Sequence, residues 1–243
     1  MWPYFATDYS GNPFIAFSYS HWIAIAVLLI LYIGLFRLRN YFRDTKSADK
    51  FARYGIAGLL IFQEVMLSVW RLANNDWTVA TALPLHLCGA AVVLSAIMLI
   101  NRNYLLYEIT FFWGLGGAIQ ALVTPDIGPY GFPHFRFFQF FVSHGTIIFA
   151  SLYMTFVYRY RPAHSSVWKI FALTNVYAAC IGVFNWLTGG NYLFICHKPE
   201  TGSLLDVLGP WPWYILSLEV VALVLFYIYY SPFALRRIFA PRE

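Results

Sequence analysis

The sequence predicts an all-α, polytopic membrane protein, a single domain (1–243) of seven transmembrane helices with its N-terminus outside and its C-terminus in the cytoplasm. Three observations predict it. Of 243 residues, 60% are hydrophobic and 11% charged, with a mean hydropathy of +0.61, whereas a soluble domain carries roughly 25% charged residues. The apolar residues fall in blocks near the roughly 20 that a helix needs to cross a hydrocarbon core of about 30 Å. The basic residues, finally, divide unequally between alternate loops, and that bias sets orientation.

Taken in order, residues 1–20 are aromatic and proline-broken, with no Lys or Arg. They lack a basic stretch followed by an apolar core, so no cleavable signal peptide is expected and the first span, 21–36, serves as the insertion signal. A basic segment from Arg37 through Arg53 follows it. The second span, 54–72, contains Gln63 and Glu64, and a polar turn at 73–77 leads to the third span, 78–100. After Asn101-Arg-Asn103 comes the fourth span, 104–123, where Gly114, Gly116 and Gly117 would let helices approach closely. A Pro/Gly loop precedes the fifth span, 135–158, which contains Ser143 and His144. The sixth span covers 167–187 and the seventh 213–230. Between them, 189–209 is long enough to be either a lid or a plain connector. No internal repeat is visible, which weighs against inverted-repeat transporter folds.

With seven spans, one side collects Arg37, Arg39, Arg43, Lys46, Lys50, Arg53, Arg102, Arg159, Arg161, Lys169, Arg236, Arg237 and Arg242, and the other only Arg71, Arg136 and Lys198. The first side is therefore cytoplasmic, and the protein is expected in a cell membrane as a multi-pass chain. The net charge of +5 is accounted for by these loops, so nucleic acid is not an expected partner; membrane lipids are. Cys88, Cys180 and Cys196 form no CxxC pair, so neither a disulfide framework nor a zinc knuckle is signalled. No cofactor is called for.

Ionisable side chains inside spans are costly, face the protein interior and mark sites. Counting along each span at about 1.5 Å per residue puts His86, His144, Glu64 and Glu219 at one level, roughly 10–13 Å below the outer edge. Any one alone reads as a polar contact between helices. Together they suggest a cavity, with Ser68, Thr81, Gln139, Ser143, Asn185 and Trp213 as further lining. His86 and Cys88 are two apart and Ser143 and His144 adjacent, so neither pair shares a helix face, and a nucleophile–base pair must be assembled between helices. Glu64 with Arg71 also reads as an internal ion pair. His21, His134, His164 and His197 read as surface imidazoles, and Trp211 and Trp213 as interfacial aromatics.

Leu83-Pro-Leu-His-Leu-Cys88, Phe138-Gln-Phe-Phe-Val-Ser-His144, Gly190-Asn-Tyr192 and Leu208-Gly-Pro-Trp-Pro-Trp-Tyr214 together resemble the YwaF-like family of bacterial integral membrane proteins. That family is similar to the eukaryotic transmembrane protein 164 family, described as membrane acyltransferases on ether phospholipids with a cysteine acyl carrier and a histidine base. Its helix arrangement resembles that of the androgen-induced lipid hydrolases, which use threonine and histidine. The resemblance implies that His144 is the family's histidine and that Pro84 and His86 belong to its Pro-Cys-His segment, whose cysteine is Leu85 here. Cys88, Ser143 or Thr81 would then replace the nucleophile.

The expected function is an acyltransferase or hydrolase of lipid acyl groups. His144 acts as general base, His86, Glu64, Glu219, Cys88 and Ser143 complete the catalytic set, and Gln139, Asn191, Tyr192 and Trp213 bind substrate. Two other uses of the same buried cluster stay open: a binder or transporter of a cation, proton or small molecule, and a metal site on His86, His144 and an acid. A non-catalytic scaffold is the third alternative.

Overall fold

Every regular element in the computed structural model, which describes residues 3–199 and 204–239, is helical. Seven α-helices run in chain order: α1 Tyr19–Asp44, α2 Lys46–Ala73, α3 Leu87–Asn101, α4 Tyr104–Val123, α5 Phe135–Phe156, α6 His164–Thr188 and α7 Trp213–Phe239. Short 3-10 turns occupy Pro3–Phe5, Tyr192–Phe194 and Leu204–Leu208. Six of the helices are long and apolar enough to cross a membrane, and α3, with 15 residues, is shorter. A multi-pass helical membrane protein follows.

The third span is where the structure departs most from expectation. Residues 78–86 form turns instead of helix, and α3 starts only at Leu87. Pro84 explains it: it has no N–H for a helix ladder, and it pushes the residue before it out of the α region. The depth assigned to His86 by counting along a helix from residue 78 therefore does not apply. The other boundaries move less. The helices of spans one, two and seven continue into polar sequence, so that Thr45 alone separates α1 from α2. Arg242 and residues 200–203 of the 189–209 connector lie outside the described residues.

Two compact units can be distinguished. One comprises Met1–Trp77 with Cys88–Tyr160, the other Thr78–Leu87 with Arg161–Glu243. In the first, α5 packs against α4, α2 and α1 and is the most buried of the candidate spans. A Cβ on Gly114 of α4 would stand 2.7 Å from the Ile147 side chain of α5, so the glycine sets the close approach of these helices. Helix ends are tied by side chains. Asn103 accepts from Leu106 N–H at the start of α4, and His134 Nδ1 accepts from Arg136 N–H at the start of α5. Arg53 donates to the Leu99 and Ile100 carbonyls at the end of α3 and Arg43 to those of Phe156 and Val157 at the end of α5. Such bonds satisfy carbonyls that a helix end leaves without partners.

In the second unit α6 packs on α7, and the turns following α6 pack back on it. Gly189, with φ +70°, closes α6 in the left-handed conformation that glycine adopts without strain.

Candidate functional site

In the first unit a row of polar side chains bridges α2 and α5. The Gln139 amide donates to Gln63 Oε1 at 2.8 Å, and Arg136, one turn earlier on α5, donates to Gln139 Oε1. Gln63 in turn donates to Leu60 C=O, and Arg71 and Arg136 both act electrostatically on Glu64, the next residue of α2. Arg136 therefore relates two of the expected site residues, hydrogen-bonding Gln139 and acting electrostatically on Glu64.

About one turn beyond Gln139 on α5 lie Ser143, buried, and His144, half-buried. His144 Nδ1 sits 2.8 Å from the Phe140 carbonyl of its own helix, its ring stacked on Phe140 with centroids 4.2 Å apart. A carbonyl only accepts, so Nδ1 carries the proton and Nε2 presents a lone pair. Nε2 has no hydrogen-bond partner among the described residues. The same stretch of α5 contributes Phe141, Val142 and Thr146 to an apolar groove of about 570 Å³, whose other wall includes Val27 and Leu28 of α1. Cys88, in the first turn of α3, packs against Gly117 of α4, where a Cβ would stand 2.8 Å from its sulfur.

In the second unit His86 holds a loop. Its Nδ1 accepts from Leu193 N–H at 3.3 Å, and its ring lies against Tyr192 and Phe194, with centroids 5.3 and 5.1 Å away. Tyr192 is 1% exposed. Its hydroxyl donates to Val79 C=O and accepts from Leu83 N–H. Its backbone N–H and C=O are both bonded by the Asn185 side chain of α6. Asn191 accepts from the N–H groups of Cys196 and His197, closing the next turn. Glu219 of α7 accepts from Asn175 of α6 at 2.8 Å, and Trp213, 65% exposed, opens α7. Thr81 shares a hydroxyl hydrogen bond with Thr78.

Two imidazoles read as surface groups are in fact buried. His21 is 2% exposed; it accepts from Phe17 N–H and donates to the Leu122 carbonyl. His134 is fully buried, donates to Ala6 C=O as well as capping α5, and burial lowers its basicity. Both sit beside residues 3–17, which fold back over the helix ends, and nothing in the local sequence reveals that cover. Glu108 is a further buried acid, outside the expected site residues. It is 1% exposed within α4, and the rule that singled out Glu64 applies equally to an acid four residues inside a span.

Among the described residues no three His, Cys, Asp or Glu side chains gather at one metal-sized position. The donors instead fall into an amide–guanidinium row with an imidazole of fixed tautomer further along α5 in one unit, and a hydrogen-bonded loop clamp in the other.

Among known proteins, the chain is 28% identical over 225 residues to an uncharacterized protein of Treponema pallidum (strain Nichols), an overlap that covers 90% of each. No solved structure matches it significantly. The model of the TMEM164 family matches residues 16–230, which take in α1 to α6 and most of α7, and the chain belongs to that family.

Proposed function

We propose that the protein is a membrane-embedded enzyme that transfers or hydrolyses lipid acyl groups, with His144 as general base. The observation that carries this reading is the fixed tautomer of His144. Its Nδ1–H is held by Phe140 C=O, which aims an unprotonated, half-buried Nε2 away from the backbone. Nε2 takes the proton of an attacking hydroxyl, thiol or water as the ester carbonyl is attacked, and returns it to the leaving group. Cys88, on α3 of the same unit, is the candidate nucleophile for the covalent route. The apolar groove beside Phe141, Val142 and Thr146 suits an acyl chain. The charge bias between loops orients the chain with its N-terminus outside and its C-terminus in the cytoplasm of a bacterial cell, with seven spans when α3 is counted. The acyl chemistry then belongs to the outer half of the bilayer.

The test is turnover of diacyl and ether phospholipids by purified protein in nanodiscs, compared with His144→Ala. The reading requires acyl release or transfer by the wild type and a loss of at least about 100-fold in the variant. A wild type that turns over none of these lipids overturns it.

A second reading is favoured by the Gln63–Gln139–Arg136 row with Glu64: a binding protein or transporter that holds a small molecule, cation or proton there. Ligand-dependent stabilisation, or pH-dependent uptake into vesicles, without lipid turnover selects it. If neither is found, the row is a non-catalytic lock between helices.

A further inference from the structure

At the end of the first unit where α1, α3 and α5 finish and α2 begins, a pocket of about 380 Å³ is lined by Arg43, Lys46, Lys50, Arg53 and Arg102, with Asp49 as its single carboxylate. Five cations around one acid would repel one another unless something more neutralises them. Asp49 cannot serve all five. It accepts from Arg53 at 3.1 Å, from Tyr153 at 2.9 Å and from Tyr158 at 2.7 Å, so its oxygens are already committed.

Not all of the cations are available either. Arg53 is buried and serves the carbonyls that end α3, and Arg43 serves those that end α5. Their positions follow from the fold. Lys46, Lys50 and Arg102 are different. All three are exposed, and among the described residues none has a carboxylate partner. The α2 N-terminus, which gets no side-chain cap from Thr45, adds its positive end beside Lys46.

Arg102 carries a further signal. It follows α3 with φ +56°, its N–H bonded to Met98 C=O at 2.7 Å. That is the left-handed cap position at which glycine is usual, because other residues adopt it only at a cost. The backbone would be better served by glycine. The arginine side chain therefore has a use of its own, and it is directed over the Tyr158 ring, 6.0 Å from the centroid, at the pocket wall.

The pocket continues onto the flank of α2. A second groove, lined by Ser47, Lys50, Phe51, Tyr54 and Gly55, shares Lys50 with it. Phe51 is 83% exposed, and Lys50 lies over the Tyr54 ring. A cationic pocket that opens along Lys50 onto exposed aromatic surface of an apolar helix suits a ligand with a phosphate at one end and a hydrocarbon tail at the other.

We propose that this pocket binds the phosphate of an anionic phospholipid, held by Lys46, Lys50 and Arg102, with its acyl chain running along Phe51, Tyr54 and Gly55. Basic pockets between membrane helices on the cytoplasmic side bind such headgroups, and that leaflet supplies them. The site shares no residue with the α5 groove near His144, so it stands whether or not the protein is an acyl enzyme.

The experiment titrates full-length protein in zwitterionic detergent with phosphatidylglycerol or phosphatidylcholine, and reads retained lipid by native mass spectrometry and stability by thermal shift. Inorganic phosphate and glycerol 3-phosphate form the soluble arm. The expected result is retention and stabilisation by phosphatidylglycerol over phosphatidylcholine. Arg102→Gly should weaken apparent affinity about fivefold, and Lys46→Gln/Lys50→Gln/Arg102→Gly by considerably more, since each cation near a headgroup contributes on the order of a fivefold gain. Arg102→Gly suits the backbone and keeps the carbonyl that receives the Tyr160 hydroxyl. Its stability without lipid should therefore equal or exceed wild type, which separates lost binding from lost folding. Arg37→Gln/Arg39→Gln, on an exposed and a half-buried cation of α1 outside the pocket, should change little. Equal retention of the two lipids, undiminished binding by the triple variant, or an equal loss in the α1 control would each overturn the proposal. Stabilisation by soluble phosphate at the concentration that suffices for phosphatidylglycerol would overturn its assignment to a lipid.

Discussion

His86 and His144 are the same residue type on sequences of similar polarity, yet their surroundings give them opposite tautomers. His144 meets a carbonyl at Nδ1 and so presents a lone pair at Nε2, whereas His86 meets a backbone N–H at Nδ1, accepts it, and must carry its own proton on Nε2. The carbonyl belongs to the preceding turn of the same regular helix. The N–H belongs to Leu193, in a loop that the chain folds against His86 from more than 100 residues away. Depth in a membrane thus says that an imidazole is unusual. What faces its Nδ1 says what it can do.

The largest effect that could break this contrast is catalytic. His144→Ala should abolish lipid acyl turnover, by about 100-fold or more, while leaving thermal stability in detergent close to wild type, because the lost bond is a single one to its own helix. His86→Ala should do the reverse, lowering stability more than turnover per folded molecule. Equal losses of turnover in both variants would show that the two imidazoles act together. Next in size is Tyr192→Phe, which leaves Leu83 N–H and Val79 C=O without the hydroxyl that joins them. The expected cost is about 1–3 kcal/mol, read as a lower melting temperature or as greater protease access to residues 78–86. Turnover per folded molecule should not change.

These contrasts also show what could be read from residues alone. The helices were legible because apolar length is a local property: the fourth span matches α4 at both ends, and the fifth matches α5 at its start. Span three was legible only as far as Pro84 permitted, since a run of apolar residues does not reveal a turn held by hydrogen bonds to residues 177 and 192. Glu64 and Gln139 could be placed in one site by depth, but Arg136, counted as a loop charge, is what links them. The roles of Asn185 and Tyr192 depend on pairing across a turn, so their sequence identified them as polar without saying to what end. The buried state of His21 and His134 required the fold of residues 3–17, which have no periodicity to follow.

A smaller effect sharpens the position of Cys88. Gly117→Ala would place a methyl 2.8 Å from the Cys88 sulfur, and overpacking of that kind should cost toward the lower end of roughly 1–3 kcal/mol. Cys88→Ala removes the sulfur, so Gly117→Ala/Cys88→Ala should recover most of the loss. If the double variant is as unstable as the sum of the two single ones, the sulfur is not what Gly117 accommodates, and the spacing of α3 and α4 is set elsewhere.

The smallest expected effect is a pH dependence at His134, which lies just outside α5. Burial lowers its basicity, Arg136 lowers it further, and the bond to Ala6 C=O works the other way. The folded state therefore binds a proton less readily than the unfolded chain, whose imidazole titrates near about 6.5. The stabilisation that His134 gives is complete above that value and is lost as pH falls below it toward the lower folded value. Protonation would also remove the Nδ1 lone pair that receives Arg136 N–H, loosening the first turn of α5 together with the chain around Ala6. Amide exchange of residues 3–10 and 135–138 should accordingly quicken between pH 7.5 and 5. In His134→Asn the cap acceptor is retained and the titration removed, so exchange there, once corrected for its intrinsic pH dependence, should be flat over the same interval. A quickening of equal size in that variant would mean that another group titrates, and that His134 holds the N-terminal segment without sensing pH.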